Sequence, residues 1–247
     1  MCGIFGVVNN SCLSKGELVR NVESGINRIR HRGPDGQGIW AEPKYGIGFG
    51  HVRLSIVDLD GGAQPMKLED GTVITFNGEI YNYPELREEL GASSFQTTSD
   101  TEVILRAYQR WGEDCVKRFR GMFAFLIWDP RKQSVFFARD HFGVKPLYWF
   151  KDTNGSIFFA SEIKAFLPFI KQPKINTDAL SDYFSFQLYL GEKNLLDGVK
   201  QILPAHAGWV SCKGEINIHQ YWDVQYDLNH YQTDKFFIDR GRTLLEE

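Results

Sequence analysis

The second residue is a cysteine, directly behind the initiator methionine. Cys2 is small enough for that methionine to be removed, which would leave a thiol and an α-amine on one residue. An α-amine titrates near neutrality, so it can take the thiol proton and complete a self-contained nucleophile. An N-terminal residue in this role is an accepted variant of nucleophile–base pairing. The plainer reading of Cys2 is a small buried hydrophobe. A lipid anchor would need a lipobox or a second membrane signal, and the sequence has neither. Attack on an amide carbon also needs donors for a tetrahedral oxyanion. Asn77-Gly78, within Phe76-Asn77-Gly78-Glu79-Ile80-Tyr81-Asn82, offers a side-chain amide and a backbone N–H. The same dipeptide is the strongest short hairpin-turn signal. A free amino-acid substrate brings a carboxylate and an ammonium. Arg53, in His51-Val52-Arg53-Leu54-Ser55-Ile56-Val57, can fork onto the first, and Glu79 and Asp100 can hold the ammonium and a side-chain amide. Taken singly, Arg53 also reads as a strand-edge surface charge and Asp100 as a first-turn acid on a helix dipole.

The elements that must carry these groups follow from periodicity. Residues 3–8 read as a short buried strand. Leu18, Val19, Val22, Ile26 and Ile29 recur at helical spacing, so a helix is expected over about 15–30, stopped by Arg32-Gly33-Pro34-Asp35-Gly36. Short strands are expected near 37–41, 46–52 and 72–76, then a brief helix opened by Tyr83-Pro84-Glu85. Ser99-Asp100-Thr101-Glu102 has the capping-box pattern, with Val103, Ile104, Ala107, Tyr108 and Trp111 following on one helical face. Residues 121–128 form a nearly continuous apolar run that pairs with 134–138 as a hairpin, and 148–150 pairs likewise with 157–160. Strands that do not alternate apolar and polar residues must be covered on both faces. A layered α+β domain is therefore expected. Phe236, Phe237, Leu244 and Leu245 begin an amphipathic helix that runs out at Glu247, which reads as the first turns of a following domain.

Composition excludes other classes. The chain has 247 residues, 43% hydrophobic, 14% aromatic and 24% charged, enough to bury a core without staples. A net charge of −3 without like-charge blocks argues against a dedicated nucleic-acid binder. No run reaches a membrane span or a signal-peptide core. Cys2, Cys12, Cys115 and Cys212 are scattered, which suits reduced thiols rather than a disulfide framework, and no histidine stands at zinc-ligand spacing from them. Arg30-His31-Arg32 reads either as a phosphate patch or, more plainly, as a solvated helix C-terminus. Gly143-Val144-Lys145 lacks the spacing of a phosphate-binding loop.

Seven motifs then occur in order. They are Met1-Cys2-Gly3-Ile4, Arg30-His31-Arg32-Gly33-Pro34-Asp35, His51-Val52-Arg53-Leu54-Ser55-Ile56, Phe76-Asn77-Gly78-Glu79-Ile80-Tyr81-Asn82, Ser99-Asp100-Thr101-Glu102, Arg139-Asp140-His141-Phe142-Gly143-Val144-Lys145-Pro146-Leu147-Tyr148 and Phe159-Ala160-Ser161-Glu162-Ile163-Lys164-Ala165. Together, over about 1–222, they resemble the class II glutamine amidotransferase domain of glutamine-hydrolysing asparagine synthetases. The resemblance implies an N-terminal-nucleophile hydrolase fold: a four-layer αββα sandwich with two antiparallel sheets between helical layers. It implies Cys2 as nucleophile, Asn77 and Gly78 as the oxyanion hole, and Arg53, Glu79 and Asp100 as holders of L-glutamine. Leu54, Ser55, Ile56 and Val57 would add backbone contacts. It implies no cofactor and no metal in this chain. ATP and Mg²⁺ would belong to a synthetase domain of the same polypeptide, whose Ser-Gly-Gly-x-Asp-Ser type loop is not in this sequence. Residues 223–247 would be a linker and the start of that domain. A cytoplasmic enzyme without nucleic-acid or membrane partners is expected, and a homodimer is left open. Two alternatives remain at this stage: a domain serving another acceptor, such as a sugar carboxylate, and a non-catalytic glutamine-sensing or docking module.

Overall fold

The computed structural model describes residues 1–9, 13–55, 61–226, 228 and 231–246. The chain opens with β1 (Gly3–Val8), α1 (Lys15–Arg28), β2 (Gly36–Glu42), β3 (Ile47–Arg53), β4 (Met66–Lys67) and β5 (Val73–Ile80). The helices α2 (Tyr83–Glu89) and α3 (Asp100–Trp111) precede β6 (Gly121–Asp129), β7 (Ser134–Arg139), β8 (Tyr148–Lys151) and β9 (Ile157–Ala160). Then come α4 (Thr177–Phe186), β10 (Val199–Gln201), β11 (His206–Ser211), β12 (Ile216–Gln220) and α5 (Asp234–Glu246).

Among the described residues the strands form two six-stranded sheets, ordered β10-β8-β9-β1-β3-β2 and β12-β11-β7-β6-β5-β4. All their strand pairings are antiparallel. Side-chain alternation distributes each strand between two apolar layers. Along β1, Phe5 and Val7 join Leu18, Val22 and Ile26 of α1, while Ile4 and Val8 join Leu126 and Phe137 of the opposite sheet. Along β6, Phe123, Phe125 and Ile127 join Val103, Ile104 and Ala107 of α3, while Ala124, Leu126 and Trp128 face the other sheet. The order of layers is α2/α3, sheet, sheet, α1. The continuous apolar runs do mark strands covered on both faces, and the fold is the four-layer αββα sandwich. No helix among the described residues is long and apolar enough to cross a membrane.

Local signals place the helix starts. Ser14 caps α1 in a full capping box: Glu17 N donates to Ser14 Oγ at 3.3 Å, and Ser14 N donates to the Glu17 carboxylate at 2.9 Å. The box expected at Ser99 is only half formed. Thr101 N donates to Ser99 Oγ at 3.1 Å, but Glu102 accepts from Gln96 N and Thr97 N instead of from Ser99 N. The loop before α3 folds back and presents two N–H groups, so the carboxylate is already engaged. The helix expected over 15–30 ends at Arg28 and tightens into a 3-10 turn at Arg30–Arg32.

That turn is locked onto β3 by Gly33. A Cβ there would overlap the Val52 carbonyl and the Arg53 nitrogen, both backbone atoms with little room to yield. Gly36, three residues on, has its nearest such neighbour at 3.9 Å. Gly33→Ala is therefore expected to cost about 1–3 kcal/mol by overpacking, whereas Gly36→Ala should be close to neutral. Urea unfolding of the two variants checks this, and equal midpoints would show that the turn is free to shift.

Candidate active site

At the starts of β1 and α3, a small cavity of about 70 Å³ is lined by Cys2, Arg53, Leu54, Asn77, Gly78, Glu79 and Asp100. Met1, Gln64, Met122 and Lys145 complete much of its wall. The residues singled out by type and spacing thus converge. Ser55 does not line the cavity; its N–H is held by the Asp35 carboxylate at 2.8 Å. Ile56 and Val57 lie outside the described residues, as does Cys12. A wider groove of about 850 Å³, lined by Tyr81, Phe119, His141, Phe142 and Trp222, lies beyond Met122, which borders both.

Cys2 immediately precedes β1. Leu54 N donates to its Sγ at 3.4 Å, and Sγ lies 3.5 Å from Leu54 O. The Cys2 carbonyl accepts from Arg32 Nε at 2.9 Å, and Arg32 Nη1 pairs with Glu162 at 2.9 Å. Glu162 also receives His31 and Lys164. The solvated reading of Arg30-His31-Arg32 therefore fails for Arg32, whose side chain is only 9% exposed. The turn at Gly33 swings it inward onto the residue before β1. Sequence alone could not reveal this contact, because it joins positions 30 residues apart.

The hairpin-turn reading of Asn77-Gly78 is also excluded. Both residues lie inside β5, paired with Ala124 and Phe123, and neither has positive φ. β5 therefore runs to Ile80, beyond the expected end at 76. A Cβ on Gly78 would overlap the Met122 carbonyl, so the close approach to β6 requires glycine. Phe123 spends its N–H and C=O on Asp140, at 3.2 and 2.8 Å, which puts it opposite Gly78 without ladder bonds between them. The Gly78 N–H consequently points out of the free edge of β5. Its neighbours on that edge are engaged: Phe76 N donates to Gln64 Oε1 at 2.7 Å and Ile80 N to Asp100 Oδ2 at 3.1 Å. Asn77 is 1% exposed, and its Nδ2 has no hydrogen-bond partner among the described residues. An orphaned buried donor costs stability, and this one belongs to the cavity wall.

Asp100 is not an ordinary helix-dipole acid. It is 5% exposed, and burial lifts its carboxyl to about 6, against the pull of the Ile80 and Thr101 N–H groups and with the nearby Glu79 pushing the same way as burial. His51 lies in the inter-sheet layer, its Nδ1 3.3 Å from Thr75 Oγ1, and burial lowers it to about 3, so it stays neutral. Lys145 and Gln64 were not anticipated as parts of the wall. Each is brought in by a loop whose local sequence gives no sign of its destination.

Residues 1–222 match the glutamine amidotransferase domain family. The chain belongs to that family. As a glutamine amidotransferase domain it is 40% identical over 240 residues to asparagine synthetase [glutamine-hydrolyzing] 1 of Bacillus subtilis, covering 95% of this chain and 37% of that one. It is 44% identical over 170 residues to asparagine synthetase B [glutamine-hydrolyzing] of Escherichia coli, covering 68% of this chain and 30% of that one. The chain thus spans about a third of the length of these curated relatives. Its fold matches that of glutamine phosphoribosylpyrophosphate amidotransferase from B. subtilis with a TM-score of 0.64 at 20% identity, covering 90% of this chain and 49% of that one.

The buried carboxylate in this amidotransferase domain has a stability consequence. Because the folded state raises its pKa, the ionised form is penalised in the fold. The penalty is absent below the ordinary carboxylate range and complete above about 6. Asp100→Asn keeps an acceptor for Ile80 N and is expected to stabilise the protein at pH 8, by at most about 3 kcal/mol, but not at pH 4. Urea midpoints at the two pH values test it; an equal gain at both would refute the ionisation argument.

Proposed function

We propose that this domain hydrolyses L-glutamine to glutamate and ammonia, with Cys2 as nucleophile. The observation that carries the reading is the meeting, in one cavity, of Cys2 with Gly78 and with Asn77, whose Nδ2 has no hydrogen-bond partner among the described residues. Met1 is 57% exposed, within reach of a processing aminopeptidase, and its removal gives Cys2 a free α-amine. That amine takes the thiol proton, and the sulfur attacks the δ-amide carbon of glutamine. The carbonyl oxygen becomes an oxyanion received by Asn77 and Gly78. The amine's proton then goes to the departing nitrogen, so that ammonia leaves and a γ-glutamyl thioester remains. Water, deprotonated by the same amine, cleaves the thioester to glutamate and restores the thiol. Arg53 grips the α-carboxylate, and Glu79 and Asp100 hold the α-ammonium and the amide.

In the full-length protein, ammonia passes to an ATP-dependent amide-forming domain of the asparagine synthetase kind, with aspartate the default acceptor. ATP and Mg²⁺ act there. The amidotransferase unit is residues 1–222, and the setting is the cytoplasm.

Release of ammonia and glutamate by the processed chain is the direct measurement. Cys2→Ala should abolish it, and Asn77→Ala should lower kcat by about 10²–10³ with a smaller change in KM. A glutamine-analogue electrophile should add its mass to Cys2. Absence of that adduct in folded, processed protein would remove the nucleophile assignment.

A further inference from the structure

The cavity contains a cation for which the reaction scheme has no use. Lys145 lines it together with Cys2, Arg53 and Glu79, and is only 6% exposed. Its side chain is largely buried, yet its Nζ makes no direct hydrogen bond or ion pair among the described residues. Its backbone, by contrast, is held from both sides. Asp140 Oδ2 accepts from Lys145 N at 2.9 Å, and the other oxygen, Oδ1, accepts from Phe142 N and Val144 N at 3.1 and 2.9 Å. Arg139 Nε donates to Lys145 O at 2.8 Å, and its Nη2 donates to Gly143 O at 2.7 Å. Asp140 and Arg139 are themselves buried. Two buried charged residues therefore fix the point from which the lysine side chain enters the cavity. A lysine whose backbone is so firmly held, and whose ammonium makes no direct ion pair among the described residues, suits a site where negative charge is transient.

We propose that Lys145 is a positioning residue that acts through Cys2: its ammonium favours the anionic sulfur and disfavours protonation of the freed α-amine. Both effects keep the nucleophile pair in its reactive form at neutral pH. Burial, with Arg32 nearby, holds the Lys145 ammonium below the usual lysine range, and the charges it meets in return are Cys2, Asp140 and Glu79. Arg53 and Asp100 face the same cavity from β3 and α3. The proposal rests on the assignment of Cys2 as nucleophile.

The test compares the processed full chain with Lys145→Met, which keeps the length but loses the charge, and Lys145→Arg, which restores the charge. Lys145→Gln carries the same expectation and replaces the Met variant if that one does not fold. Two profiles are read between pH 5.5 and 9: kcat/KM for glutamine, and the rate of Cys2 alkylation by iodoacetamide. Asp100 titrates inside this window, and alkylation, which needs no bound glutamine, separates its contribution. The neutral variant should move the acidic limb of both profiles up by about half to one pH unit, and Arg should return them. Unmoved profiles in the folded neutral variant, or no return with Arg, would overturn the role of Lys145. Failure of the wild-type chain to be labelled at Cys2 by the glutamine analogue would instead overturn the underlying assignment.

Discussion

The packing of one β-sheet against the other governs the site. Cys2 belongs to the sheet containing β1 and β3, whereas Asn77 and Gly78 belong to the sheet containing β5 and β6. The distance between sulfur and donors is therefore set by the thickness of the apolar layer between them, about 10 Å for stacked sheets. Ile4, Phe49, Ala124, Leu126, Phe137 and Phe159 fill that layer, and its tolerance is small. A Cβ on Gly6 would run into Leu126. One polar contact crosses the same layer near the site: Thr75 Oγ1 donates to Gly50 O at 3.3 Å and lies 3.3 Å from His51 Nδ1. Thr75 stands two residues before Asn77, and Gly50 and His51 stand on the strand that leads to Arg53. The clamp thus joins the two sides of the cavity close to where their spacing matters.

Stability is given up where the site is assembled. Asn77 keeps a buried donor without a partner among the described residues, Asp100 is ionised only against the cost of burial, and Lys145 brings a largely buried side chain into the same wall. Groups of this kind each cost on the order of 1–3 kcal/mol. All three line one small cavity. Local rules broken at one site are offset by consistent packing of the apolar layers elsewhere.

Much of this was legible in the residues. The runs at 121–128 and 134–138 lack alternation, and that alone required covers on both faces of the sheet. Cys2, Arg53, Asn77, Gly78, Glu79 and Asp100 were identifiable by type and order, and they line one cavity. What escaped has a common cause. The continuation of β5 through Asn77-Gly78-Glu79 looks like a turn because its side chains and N–H groups serve a cavity rather than a core. Arg32 looks solvated because its partners, Cys2 and Glu162, are distant in sequence. Glu102 looks like a capping-box partner until the preceding loop is seen to fold back onto it. The strand β12 and the helix α4 are largely exposed, and β10 has only three residues, so their hydrophobic pattern is weak.

The free edge of β5 shows how an aggregation hazard becomes a binding feature. An uncovered strand edge presents a row of N–H and C=O groups that invites pairing with another strand. β4 covers only Val73 and Ile74. Beyond them the edge is closed by side chains rather than by a strand: Gln64 takes the N–H of Phe76 and Asp100 takes that of Ile80. A neighbouring strand would have satisfied Gly78 as well. Two discrete side-chain acceptors, placed one on each side, leave the Gly78 N–H clear of the described strands while removing the continuous ladder that another chain could join. The same two side chains form part of the cavity wall, so the device that protects the edge also shapes the pocket beside Gly78.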